Sequence, residues 1–547
     1  VTLTNKQTNL YPQKYSIIID SEKIQNVIAY DNGGIVSTQI SQRDGKTEIK
    51  LPFNEKVVGL GKKLHFSLRY ENTDIAVQNG NIWEVNIPGV AEDPDIASYN
   101  VSLQVPPTFG ENAYISPIPA VGSRWTKEQM VKGGITAAYG TNQVFDVMLS
   151  YFLENMSVAK KKEEISLPPD TSLQTVLVHS IEPKPKTVLS DVDGNWLAQY
   201  ELMPGQKLEI LVKATIVISM RPKSGSETQL SDKKLYTRTL PYWEATNPRI
   251  QDLAKKYTTP RDIYTYVVNT LSYDYNRVSQ SPARKGAVGA LDSPQNSICM
   301  EFTDLFIAIA RSAGIPAREV VGYAYTTNAK LRPLSLVSDV LHAWPEYYDE
   351  DQKLWIGIDP TWAKTTGGVN YFDKLDFNHI ALSIHGISSD YPYPAGFYKK
   401  SGQNSKDVLV QFGKNIPGAK GGKLLISYVF PSSVSSGFTA SGSVIVENTG
   451  GVALPSATVS VRSIPIDVAI TEQLQSIPPY AKFSLPISIA LPSYFLSGKG
   501  TITTTVNGES KQFYFDIVPF SKRFILPLVT LTIVIISYAL LWKYRKK

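Results

Sequence analysis

The sequence predicts a multidomain, mostly β protein with one α+β domain and a single C-terminal membrane helix. Three observations carry this. Strand-like runs cut by turn signals fill residues 1–222 and 424–518, helical periodicity gathers between about 240 and 313, and residues 524–542 carry no charge. A chain of 547 residues has room for several domains. With 42% hydrophobic and 19% charged residues it is neither a disordered polyelectrolyte nor a fibrous repeat.

Residues 1–118 read as a β-sandwich domain, with runs such as YSIIID, TEIKLPF and KLHFSLRY separated by DNGG and QNGN turns. Residues 123–222 repeat the style as a second sandwich, where DVDGN (191–195) lacks EF-hand spacing and reads as a hairpin turn. From about 240 the pattern turns helical, with Ile250, Leu253, Ala254 and Tyr257, then Ile263, Val267, Val268 and Leu271. Thr259 before Pro260 fits an N-cap followed by proline at the first helical position. A further helix spans 296–313, and strands follow to 390, making 240–390 an α+β domain. Residues 413–423 are a Gly-rich linker without the strand–loop–helix context of a phosphate site. Residues 424–518 return to alternating strands that fit an immunoglobulin-like sandwich.

The formal net charge of +6 sits at one end. Lys522, Arg523, Lys543, Arg545, Lys546 and Lys547 account for all of it, so residues 1–521 sum to zero and leave no basic footprint for nucleic acid. Between the two basic clusters runs FILPLVTLTIVIISYALLW (524–542), whose nineteen residues extend about 28 Å as a helix, enough to cross a bilayer. Four basic residues follow the span and two precede it, which predicts a cytoplasmic tail at 543–547 and extracytoplasmic N-terminal domains in a single-pass cell-membrane protein. A start at Val1 is consistent with a removed signal peptide.

The chain has one cysteine, Cys299, which excludes intramolecular disulfides and multi-cysteine zinc sites. Cys299 opens a helix, with Asn296 or Ser297 as N-cap and Phe302, Leu305, Phe306 and Ile309 as its buried stripe. A thiol there meets the positive end of the helix dipole, which favours thiolate, and the first-turn N–H groups, including its own, are placed to stabilise an oxyanion. A nucleophilic cysteine needs a base and an orienting acceptor. His342 lies in the strand-like LHAWPEYY, sharing a face with Trp344 and Glu346, and Asp359 ends the apolar KLWIGIDPTW.

The blocks SICMEFTDLFIAIARSAGIPAREVVGY, HAWPEYY and WIGIDPTW resemble, in order, those of transglutaminase-like thiol enzymes. The resemblance covers about 240–390 and implies a papain-like core with catalytic Cys299, His342 and Asp359, and no cofactor or metal. The implied chemistry is acyl transfer or hydrolysis at amide bonds of a protein or peptide substrate at the cell surface, by a peptidase or a transglutaminase. Ser297 stands where the family usually has glycine, and Pro345 interrupts the His strand, implying an edge or a bulge. Gln295, Asn296 and Tyr275 are the candidates for an oxyanion-hole side chain, and Trp344 and Trp362 for the cleft or the core. Bland readings stand beside these: a small buried hydrophobe at Cys299, structural roles for His379 and His385, a turn cap at Asp359. The alternative for the whole chain is an inactive adhesion or scaffolding protein using the α+β domain as a binding module.

Overall fold

The computed structural model describes residues 1–227, 229–230, 232–278, 283–326, 332–333, 341–366, 369–400, 406–414, 422–474 and 476–545, without the side chain of residue 132. Most of the Gly-rich stretch 413–423 and the last two basic residues lie outside these. The molecule is mostly β, with several sheets, one helical region and one C-terminal apolar helix.

One compact unit comprises Val1–Gln143, residues 332–333 and Ile358–Phe377. Its first part has two sheets, one ordered Thr2–Thr4, Lys63–Asn72, Ile24–Asp31, Gly34–Val36, the other Lys14–Ile19, Lys46–Pro52, Gln39–Arg43. Alternation explains the second: in KTEIKLP, Thr47, Ile49 and Leu51 are buried, and Ile49 and Leu51 join Leu64 and Phe66 in one core. Both turn signals fall at hairpins. Asp31 Oδ1 accepts from Gly33 N in DNGG, and Gly80 takes φ 58° between Ala76–Asn79 and Ile82–Ile87. The latter two strands continue into a sheet through Ile135–Tyr139 to Asn112–Ser116.

The other unit begins with a strand that runs Asn142–Glu154. It shares a sheet with Gln174–Glu182, Lys207–Ser219 and Val408–Phe412, the last pairing Phe412 with Phe145. A second sheet holds Lys161–Leu167, Trp196–Leu202 and Thr187–Ser190. DVDGN is the hairpin turn, closed by Asn195 N donating to Asp191 Oδ1 at 2.8 Å.

Next come α1 (Pro248–Lys256), α2 (Pro260–Thr270), a single helical turn at Tyr275–Val278, α3 (Gly286–Asp292) and α4 (Cys299–Ser312). Thr259 caps α2 with proline at N1, as its spacing predicts, and Asn247 caps α1 in the same way. Strands β1 (Ala317–Ala324), β2 (Leu341–Asp349), β3 (Leu354–Gly357) and β4 (His379–His385) form an antiparallel sheet in the order β3-β2-β1-β4. Pro345 is neither on an edge strand nor at a bulge of the β1–β2 ladder, where it stands opposite Glu319. It is tolerated because the β3 ladder ends one residue later, at Glu346–Gly357.

Residues 424–518 form two sheets, one of three and one of five strands, around a shared core that includes Val444, Val446, Val459, Val461, Ile487 and Phe515. A π-helical turn, Ser521–Ile525, then enters the helix Leu526–Arg545. These 25 residues are long and apolar enough to cross a membrane, and none is buried against the chain.

Candidate active site

Cys299 is the first residue of α4 and is 1% exposed, packed with Val321 of β1 and Ala343 of β2. Thr303, one turn on, donates from Oγ1 to Ala343 O at 3.2 Å, fixing the helix across β2. The N-cap is Ile298, whose side chain has no acceptor, rather than Asn296 or Ser297. Glu301 takes over, reaching back so that its Oε2 accepts from Ile298 N at 3.0 Å. Glu301 N and Phe302 N both donate to Ile298 O, so these two first-turn donors are committed.

The buried Glu301 carboxylate also meets Arg277 end-on, Nη1 donating to Oε2 at 2.6 Å and Nη2 to Oε1 at 3.0 Å. Arg277 also donates from Nη1 to Asn296 O and from Nη2 to Ala283 O, and Lys285 N donates to Glu301 Oε1. One ion pair therefore fixes the loop before the thiol from three sides. Composition gives no sign of it, because Arg277 lies 24 positions upstream.

The upstream candidates belong to the same loop. Asp274 N donates to Ser297 O, and the Asn296 amide donates to Asp274 Oδ2 at 2.9 Å, a bond that holds the Asp274 carboxyl below its ordinary range. Asn296 is thereby a brace of the loop. Tyr275 is 48% exposed, its ring 4.9 Å from Tyr273, and burial of its hydroxyl raises its pKa. Gln295 is exposed.

His342 is fully buried in β2, opposite Gly322 of β1. Its ring lies 6.0 Å from that of Trp344 and 5.7 Å from that of His379, while Trp344 meets His379 edge-on at 5.0 Å. Gly322 makes room for this group: a Cβ there would stand 2.7 Å from Trp344 Cη2 and 2.0 Å from Ile380 O. Ala343 packs on Cys299, and the His342 ring packs with Trp344 and His379.

Asp359 is fully buried and caps helix α5 (Pro360–Thr365), its Oδ1 accepting from Thr361 N at 2.8 Å and Trp362 N at 3.0 Å. Its own N–H donates to Tyr371 O, and Trp362 Nε1 donates to Pro333 O.

Behind α4 lies a buried charge cluster that sequence patterning missed. Arg284 Nε donates to both Asp304 oxygens at 3.1 and 3.0 Å, and its Nη2 donates to Glu319 Oε1 at 2.9 Å. Trp243 Nε1 adds a bond to Asp304 Oδ1 at 2.9 Å. His385 places Nδ1 2.7 Å from Glu319 Oε2 and Nε2 2.9 Å from Pro392 O, an acceptor to which only an N–H can donate. Burial opposes ionisation of Glu319, but Arg284 and His385 outweigh it and hold its pKa below the ordinary value. Burial pushes the Asp304 carboxyl up to about 7 against the pull of Arg284.

Residues 244–360 match the sequence profile of the transglutaminase-like superfamily. A protein-glutamine gamma-glutamyltransferase from Pseudomonas aeruginosa is 28% identical over 127 residues, which span 21% of this chain and 18% of that relative. Among solved structures, a candidate cysteine protease from Cytophaga hutchinsonii aligns with 50% of this chain and 99% of its own, at 16% identity and a TM-score of 0.30. A CARDB domain from Pyrococcus furiosus aligns with 18% and 90%, at 21% identity and a TM-score of 0.16. At such scores neither structure weighs on fold or function. Residues 244–360 are a transglutaminase-like domain.

Proposed function

We propose, with a transglutaminase-like domain at residues 244–360 as premise, that this chain is a membrane-anchored thiol enzyme acting on protein or peptide amide bonds outside the cytoplasm. The observation that carries it is Cys299 at the first position of α4, inside the matched segment, with its loop locked by Glu301 and Arg277. Cys299 thiolate attacks the carbonyl carbon, and the C–N bond breaks as His342 hands a proton to the departing amine. Asp359 holds the imidazole in its working tautomer. The thioester is then opened by water, giving a carboxylate, or by a primary amine, giving a new amide, with His342 taking the incoming proton. The Pseudomonas relative's name favours glutamine side chains and transfer.

The α+β domain is taken as 240–390, between sandwiches at 1–118, 123–222 and 424–518. Two basic residues before the apolar helix and four after it support an outward-facing chain with a cytoplasmic end. The test is incubation of the full-length chain in detergent micelles with a peptide library and a labelled primary amine. Amine incorporation identifies a transferase, cleavage a hydrolase, and neither product from folded protein overturns both.

A second reading, a binding module without catalysis, is favoured by the burial of Cys299, which leaves 1% of it exposed. Iodoacetamide at pH 6 separates the two. Selective alkylation of native protein, lost in His342→Ala, supports the enzyme; alkylation only after unfolding supports the module.

A further inference from the structure

The last sandwich gathers aromatic side chains where the apolar helix leaves it. The Phe520 ring lies 5.1 Å from Phe524 and 5.4 Å from Tyr494, and Phe438 lies 5.9 Å from both Phe520 and Phe524. Backbone bonds fix the group: Phe520 N donates to Tyr494 O and to Ser436 Oγ, both at 3.0 Å, and Ser436 Oγ donates to Tyr494 O at 2.7 Å. Gly437 has φ 86°, and a Cβ on it would stand 2.4 Å from the Tyr494 ring, so the turn closes only around glycine.

This ordered cluster is nevertheless open to solvent. Phe438 is 50% exposed, Tyr494 53%, Phe524 47% and Phe495, beside them in the chain, 81%. Exposed apolar groups held together by backbone hydrogen bonds mark an interaction surface rather than a loose loop. Lys522 and Arg523 are exposed in the same turn, Arg523 Nη1 donating to Ser433 Oγ at 3.2 Å. Aromatic rings beside basic groups suit the headgroup layer of a bilayer, which takes amphipathic rings and attracts cations to anionic lipid. Continuity names the occupant, because the chain runs from Phe524 straight into the apolar helix.

We propose that Phe438, Tyr494, Phe495 and the Phe520–Phe524 turn form a wedge seated in the headgroup layer of the bilayer that this helix crosses. The last sandwich then stands on the membrane instead of being tethered above it. The proposal rests on the helix spanning the bilayer, and the experiment is built to separate the two.

Single cysteines at Phe495→Cys, Val158→Cys (97% exposed in the native chain) and Ile535→Cys, each in a full-length Cys299→Ala background, are labelled with an environment-sensitive fluorophore. The labelled chains are reconstituted into phosphatidylcholine–phosphatidylglycerol vesicles containing either headgroup-nitroxide or deep acyl-chain-nitroxide lipid. The label at 495 is expected to lose about three times more fluorescence to the headgroup nitroxide than the label at 158, while the label at 535 responds to the deep nitroxide. Equal quenching at 495 and 158, with 535 responding, overturns the wedge alone. No response at 535 overturns the membrane span and the wedge with it. Self-quenching at 495 that grows with protein density, without nitroxide, assigns the surface to a second copy of the chain instead. Phe438→Cys repeats the measurement at an independent position of the same patch.

Discussion

The guanidinium of Arg277 grips both carboxylate oxygens of Glu301 two positions after the thiol of Cys299, on a side chain with no solvent exposure. The pair ties the loop 294–298 to the start of α4. Removing one partner strands a buried charge, so Arg277→Ala should cost about 3–5 kcal/mol. Arg277→Lys, which keeps the charge and loses the two-pronged geometry, should recover only part of that. The chain's one cysteine makes the measurement local: pulsed alkylation of Cys299 along a urea series reads the opening of this domain alone.

Gly322 offers a second, purely steric test. In Gly322→Ala the new methyl group meets a carbonyl oxygen and the Trp344 indole well inside contact distance. Overpacking of this kind costs about 1–3 kcal/mol or more. The same variant shifts Trp344 against His342, so amide-bond activity should fall further than stability does. Parallel melting and activity measurements would reveal a neutral substitution, which would contradict the packing described for β1 and β2.

Asp359 caps a helix, and substitution can separate that role from the orienting role proposed for it. As N-cap of α5 it satisfies two backbone donors, a role that serine also fills. Asp359→Ser should therefore stay within about 0.5 kcal/mol of the native protein, and Asp359→Ala should lose about 1 kcal/mol more. Both should abolish turnover if the carboxylate orients His342. Full activity in Asp359→Ser would reduce Asp359 to a cap.

Asp304 predicts an unusual pH dependence. Its carboxyl titrates near 7 when folded and about 4 when unfolded, so between those values the native state holds a proton that the unfolded chain lacks. Stability from this group is complete below about 4 and is lost as pH rises through about 7. Glu319 acts in the opposite direction at lower pH, because its folded value is depressed. The urea midpoint read by Cys299 alkylation should fall between about pH 5 and pH 8, and Asp304→Asn should flatten that slope. An unchanged slope would assign the titration elsewhere.

Local signals predicted a good part of this arrangement. The cap at Thr259, the DNGG, QNGN and DVDGN hairpins and the apolar C-terminal helix are written in contiguous residues, where short-range sterics and hydrogen bonding decide the outcome. Cys299 at a helix start was legible for the same reason. Partners brought together by chain reversal were not. Arg277 with Glu301, Arg284 with Asp304 and Glu319, and the return of Val408–Phe412 to the strand at 142–154 join residues from 20 to over 200 positions apart. The Ile298 cap escaped notice because its acceptor comes from Glu301, three residues later.

The hairpin turn at 191–195 has a practical consequence. Asn195 Oδ1 accepts from Ile384 N and its Nδ2 donates to Ile384 O, while Asp193 Oδ2 accepts from Gly386 N and Ile387 N. These are main-chain groups of β4 and the residues just beyond it, satisfied by side chains nearly two hundred positions upstream. A fragment cut at residue 240 would bare them to water along a buried edge, and would also strand Val408–Phe412 without its sheet. A piece carrying Cys299 therefore cannot begin at residue 240, and dissection of this chain has to follow the hydrogen bonds and not the motif.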